Sequence, residues 1–163
     1  MILYHGSYTA IREPDLAFSR LRTDFGRGFY LTPLKTQAVN WSRRFLRVHS
    51  KAVVSSYRFL SRPDDKLAEN FNVLAFDAYN LAWLNSITAC RLGRPVDTEW
   101  DLVIGGVAND KVFDSLQLYF DNLIGPDDAI GRLQYSKPNI QYCFKTQSLI
   151  DEYLQFVDAE VIE

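Results

Sequence analysis

The stretches Leu3-Tyr4-His5-Gly6-Ser7 and Asp24-Phe25-Gly26-Arg27-Gly28-Phe29-Tyr30-Leu31-Thr32 decide how this chain is read. The first is short and partly β-branched up to His5, and the Gly6-Ser7 pair ends it as a turn ends a strand, which predicts a strand over 2–5. The second predicts another short strand over 28–31, entered through a turn that two glycines free from the usual backbone limits. His5 at a strand end can bond a hydroxyl, Gly6 lets a ligand approach the backbone, and Ser7 adds a hydroxyl. Taken alone, the same three residues also describe a strand end with a surface histidine. Tyr30 can stack on a flat heteroaromatic ring or serve as a core aromatic beside a glycine turn. The two glycines are not a phosphate loop, because the spacing and the Lys-Ser/Thr pair are missing.

Outward from these segments, 8–23 reads as loop. Thr32-Pro33 is a helix start, with threonine as cap, and a helix is predicted over 33–49. Its apolar face is Leu34, Ala38, Trp41, Phe45 and Val48, with Arg43, Arg44 and Arg47 as a solvated face and His49 complementing the helix dipole. A strand over 52–60 follows, ended by Pro63, and then a helix over 72–92, broken by Gly93-Arg94-Pro95. The remainder predicts a buried strand over 100–107, a helix capped by Asn109 or Asp110, a short helix from Pro126, a strand over 139–146, a helix over 147–154 and a closing strand over 156–162. This order, without regular βαβ alternation, implies an α+β fold of antiparallel sheets with flanking and inserted helices.

The bulk numbers set the frame. With 163 residues, 47% of them hydrophobic, the chain holds one substantial core, so a single domain over 1–163 is expected. A net charge of −2 implies no general attraction to nucleic acid or an anionic membrane. Two cysteines far apart fit neither a disulfide scaffold nor a metal-ligand spacing, and neither histidine has a ligand cluster around it. No apolar run is long enough to span a bilayer, and the start does not read as a cleavable signal, so a soluble protein is expected, either cytoplasmic or delivered by a signal-peptide-independent route.

The two opening segments, together with Gln37-Ala38, Trp41, the run from Asp101 to Asp110 and the run from Gln141 to Thr146, resemble the bacterial family DUF3990. That family is related to the ADP-ribosyltransferase superfamily, on the branch of poly(ADP-ribose) polymerases and diphtheria toxin. The resemblance implies an ADP-ribosyltransferase-like fold with an NAD cleft. It implies that His5 bonds the adenosine ribose and that the Gly6 backbone holds the nicotinamide carboxamide, beside Ser7. It implies further that Tyr30, followed by Leu31 and Thr32, stacks on the nicotinamide, with Trp41 either as a second stacking ring or as a core residue. Where the branch carries a glutamate, this chain has Gln141, which keeps a hydrogen bond and loses the charge, or which is simply a strand residue. Glu99, Asp101 and Glu152 are the carboxylates considered as substitutes.

The implied activity is transfer of ADP-ribose from NAD, as substrate, to an unknown acceptor: a protein foremost, with nucleic acid or a small molecule as other choices. A toxin or effector with a neutralising partner fits that activity. The alternatives are a non-catalytic NAD or ADP-ribose-binding or protein-interaction module, and an NAD hydrolase.

Overall fold

The computed structural model describes residues 1–60, 67–96, 99–108, 110–133 and 139–162, leaving aside the side chains of 68, 110 and 111. The predicted stop at Pro63 and the cap at Asn109 lie outside the described residues.

Strands β1 (Ile2–Ser7), β3 (Ala52–Phe59) and β7 (Leu154–Ile162) form a three-stranded sheet in the order β1-β3-β7. Strands β2 (Phe29–Leu31), β6 (Ile140–Phe144), β5 (Leu102–Gly106) and β4 (Val73–Ala75) form a second sheet in the order β2-β6-β5-β4. An isolated antiparallel bridge, Tyr4 to Thr32, joins β1 to the chain just past β2, with two backbone bonds of 2.8 and 2.9 Å.

Side-chain alternation sorts the residues of both sheets into layers. Leu3, Tyr57 and Phe59 of the first sheet meet Phe29, Leu31, Leu102 and Phe144 of the second in one core, closed at its end by Leu149 and Ile150 of α7 (Gln147–Tyr153). The outer face of the second sheet carries Val103 and Cys143. It packs under Trp83, Leu84 and Ile87 of α4 (Leu81–Leu92), Val112 and Leu116 of α5 (Asp110–Phe120), and Ala129 and Leu133 of α6 (Pro126–Leu133). Each such large apolar side chain contributes roughly 1.5–3 kcal/mol when removed from water. On the outer face of the first sheet, Ala52, Val54 and Ile162 receive Ala38 of α1 (Lys35–Ser42). A short α3 (Leu67–Asn70) precedes β4.

The α+β class is observed, with several departures from expectation. The sheets are not wholly antiparallel, since β4 and β5 run parallel. The segment expected to be helical from 72 instead starts as that strand, because Asn72 and Phe76 enter the backbone bonding of β5 and its approach; the helix begins only at Leu81, where the Asn80 side chain accepts from the Trp83 N–H at 2.9 Å. The helix expected over 33–49 is three pieces: α1, a 3-10 turn over Arg43–Phe45, and α2 (Leu46–His49), ended by Ser50 at φ 55°. Its predicted apolar face is not seated, since Leu34, Trp41 and Val48 are exposed, and α1 buries only Ala38 and Ser42. Thr32 does not cap α1 itself; its Oγ1 accepts from the Leu34 N–H at 3.1 Å, one residue before the helix. The stretch read as loop over 8–23 also contains a 3-10 turn, Leu16–Phe18, capped by Asp15.

Candidate functional site at the fork between the sheets

Beyond the Tyr4–Thr32 bridge, β1 and β2 separate, and most of the residues expected in a site lie around this fork. The bonding alternation of β1 fixes where its peptide groups point. Tyr4 turns its N–H and C=O toward Thr32, so Gly6, two residues on, turns both of its own to the same edge and away from β3. Neither Gly6 group has a partner among the described residues. A Cβ at Gly6 would fall 2.3 Å from the Ala38 carbonyl oxygen and 2.9 Å from the Ser42 nitrogen. The glycine therefore lets α1 lie directly on β1, and its open polar edge is a second, separate property.

His5 lies on the inter-sheet face with Leu3, its ring stacked on Phe29 at 4.5 Å. Its Nδ1 donates to the Tyr30 carbonyl at 2.7 Å, which fixes the proton on Nδ1 and leaves Nε2 as an acceptor. Burial holds its pKa below the ordinary histidine value, and the bond to Tyr30 opposes this in part. Ser7, Leu31 and Thr32 are buried, and Thr32 Oγ1 also donates to the Ile140 carbonyl at 3.2 Å.

Tyr30 points to the other face of β2. Its hydroxyl donates to the Gly26 carbonyl at 2.6 Å and accepts from the Phe25 N–H at 2.9 Å, with Thr23 Oγ1 2.9 Å away. The phenol thus locks the 23–26 turn, in which Gly26 sits at φ +74°, and burial pushes its pKa far up. Gly28 is required for contact with β6, since a Cβ there would lie 2.3 Å from Cys143 Sγ. Burial pushes the Cys143 thiol up to about 12, so it is not a nucleophile at neutral pH.

On the same face as Tyr30, Gln141 is buried at 8% exposure, and its Nε2 donates to Asp24 Oδ2 at 2.8 Å. Asp24 is itself 8% exposed. Its Oδ2 also accepts from the Ala108 N–H at 3.0 Å, while Oδ1 takes Arg91 Nε at 2.9 Å and the Arg91 Nη2 as an ion pair. One carboxylate therefore ties the 24–30 segment, α4, the exit of β5 and β6 together. The carboxylates considered as substitutes are elsewhere: Asp101 accepts from the Asn72 N–H at 2.7 Å, and Glu99 and Glu152 are exposed. Asp24, between Thr23 and Phe25 with Arg22 and Arg27 close by, carries no sequence signal of this role.

The fork thus brings together Gly6, Tyr30, Thr32 and the Asp24–Gln141 pair on one face, with the His5 ring on the opposite one. It does not bring in Trp41, which is 41% exposed, under the Arg44 guanidinium at 4.3 Å. His49 stacks on Tyr8 at 4.0 Å. Two surface grooves are present, the first of them touching Tyr4 of the bridge. One of about 320 Å³ is lined by Tyr4, Lys35, Val54 and Glu160, and one of about 700 Å³ by Arg12, Phe18, Gln147 and Ile150; His5, Gly6, Tyr30 and Gln141 line neither.

These features define an α+β chain of two sheets that diverge at a polar fork, with no described helix long and apolar enough to cross a membrane. A family model described as "Protein of unknown function (DUF3990)" matches residues 1–156, and the chain belongs to that family. No curated protein and no solved structure matches it.

Proposed function

We propose that the fork is an NAD site of ADP-ribosyltransferase type and that the protein transfers ADP-ribose to a macromolecular acceptor, with nicotinamide as leaving group. The observation that carries this reading is the free Gly6 edge. A strand residue offers an N–H and a C=O side by side, which matches the oxygen and NH2 of a primary carboxamide, and Gly6 has both unpaired opposite Tyr30. Further support comes from His5, whose Nε2 is left as an acceptor for a hydroxyl. The reading retains the roles of toxin or effector, and a neutralising partner, that the family resemblance implies.

A second reading, an NAD- or ADP-ribose-binding module without turnover, is favoured by the pairing of Asp24 with Arg91. The carboxylate nearest Gln141 is already compensated and has little charge left for a developing cation. Incubation with NAD labelled in its adenosine half separates the outcomes. Nicotinamide release with label on macromolecules supports transfer, release with free ADP-ribose indicates hydrolysis, and binding without release indicates the module. Absence of both binding and release refutes the NAD site.

A further inference from the structure

The net charge of −2 conceals an uneven distribution. From Phe25 to Pro63 the sequence contains no aspartate or glutamate, and every charged side chain is a lysine or an arginine. The densest part of this run lies on the outside of α1, the 3-10 turn and α2. Arg43, Arg44, Arg47 and Lys51 are exposed there, and none is paired with a carboxylate among the described residues. Successive helical residues turn by about 100°, so Lys35 and Trp41 lean to opposite sides of Ala38, the residue seated on the sheet. Lys35 reaches Glu160 of β7, and Trp41 therefore leans away from that acid.

Flat rings accompany these cations. The Arg44 guanidinium lies over the Trp41 indole, and the Tyr8 and His49 rings are stacked with an interplanar angle of 13°. Phe45 stands 5.7 Å from Tyr8 and 6.0 Å from His49. At about 1.5 Å of rise per residue, the platforms at Trp41 and His49 are roughly 12 Å apart. That is the length of a few stacked nucleotides at about 3.4 Å each.

We propose that this face binds single-stranded nucleic acid, with the arginines on phosphates and the Trp41–Arg44 and Tyr8–His49 stacks taking unstacked bases. A polyanion matches the unpaired charge. Free bases match the rings, and a closed duplex does not offer them. An anionic membrane fits less well. An interfacial helix sinks a continuous apolar side, whereas here Arg44 covers Trp41, and Phe45 is turned toward Tyr8 and His49. The face adjoins the fork, since Ser42 packs against Gly6, but binding here does not depend on the NAD reading.

Fluorescence anisotropy tests this with one short mixed-sequence oligonucleotide, made as RNA and as DNA, single-stranded and as a duplex, over about 50 to 200 mM salt. Single strands of either sugar should bind, and about tenfold tighter than the duplex. Replacing Arg43, Arg44 and Arg47 together by glutamine should reduce the slope of log K against log salt by about 2, since each phosphate contact contributes about 0.7. Trp41→Ala should weaken single strands about fivefold or more with the duplex unchanged, and Trp41→Phe should restore most of the loss. Arg132→Gln, exposed on α6, should match the parent. Binding of neither strand overturns the proposal, as does binding only to vesicles of phosphatidylserine and phosphatidylcholine. Single strands and duplex bound alike, or a loss in Trp41→Ala that Trp41→Phe does not restore, overturn the role of the rings and the single-strand assignment. A loss in Arg132→Gln equal to that of the triple variant signals general charge attraction and overturns the surface.

Discussion

Replacing Gln141 by glutamate tests the electrostatics of the fork, because the new carboxyl oxygen would occupy the place where Nε2 now sits 2.8 Å from Asp24 Oδ2. Two charges about 4 Å apart at an effective dielectric of about 20 repel by about 4 kcal/mol. Arg91, on the far oxygen of Asp24, attracts the added charge and offsets about half of this, leaving about 2 kcal/mol or roughly 1.5 pK units. The introduced carboxyl should titrate near pH ~6 in the folded protein against about 4.3 in the unfolded chain. A folded pKa above the unfolded one means that the proton stabilises the fold. At pH 4 the protonated carboxyl donates to Asp24 in place of the amide, and Gln141→Glu should match the parent. The deficit should open as pH rises through 4.3 and level off above ~6.5 at about 2 kcal/mol. Urea unfolding from pH 4 to 8 reads this directly, with Gln141→Glu made also on Asp24→Asn, where the pH-dependent deficit should vanish. A gap between parent and Gln141→Glu that does not change with pH would refute the reasoning.

Three further expectations follow from the same geometry. Gly6→Ala drives a methyl to 2.3 Å from the Ala38 carbonyl oxygen, so α1 must lift; denaturant melts should record a loss of about 1–3 kcal/mol, and no loss would mean that α1 does not sit on β1 as described. His5 has a folded pKa below its unfolded one, so its contribution is present above pH ~6.5 and lost as pH falls through the folded value. His5→Gln should therefore flatten the acid limb of the stability curve below pH ~6.5, and an NMR titration placing His5 at or above the ordinary value would contradict it. Burial raises both thiols, Cys143 to about 12, and Cys143 is buried where Cys90 is only partly so. Under native conditions at pH 8 a maleimide should therefore label Cys90 first and leave Cys143 unmodified, as peptide mass mapping would show.

The legible parts of the fold were those written in neighbouring residues. The strands around His5, Tyr30 and Cys143 announced themselves by short β-rich runs bounded by turns, and Gly93, at φ +66°, ended α4 where the sequence suggested. Strand β4 was not legible, because its three residues become a strand only by pairing with β5, about 30 positions later. Trp41 misled for a related reason: its spacing from Ala38 and Phe45 fits a buried face, but the close seat that Gly6 offers admits only Ala38 and Ser42, and the indole stays outside. Around the fork, His5, Gly6 and Tyr30 carry local patterns that admit a ligand role, whereas Gln141 stands out only through the family resemblance. Asp24 could not be given a role, since each of its partners comes from a different, distant part of the chain.

That dispersal governs when the site comes into being. The bonds of Asp24 to Arg91, the Ala108 N–H and Gln141 close loops of 67, 84 and 117 residues. Loops of that length close late, after nearer contacts have compensated some of the chain entropy. On the ribosome, or in any product truncated before residue 141, the carboxylate remains hydrated and the glutamine oxygen is absent. The fork thus gains its Asp24 anchor only as one of the last events of folding, and an incomplete chain carries the His5 and Tyr30 segments without it.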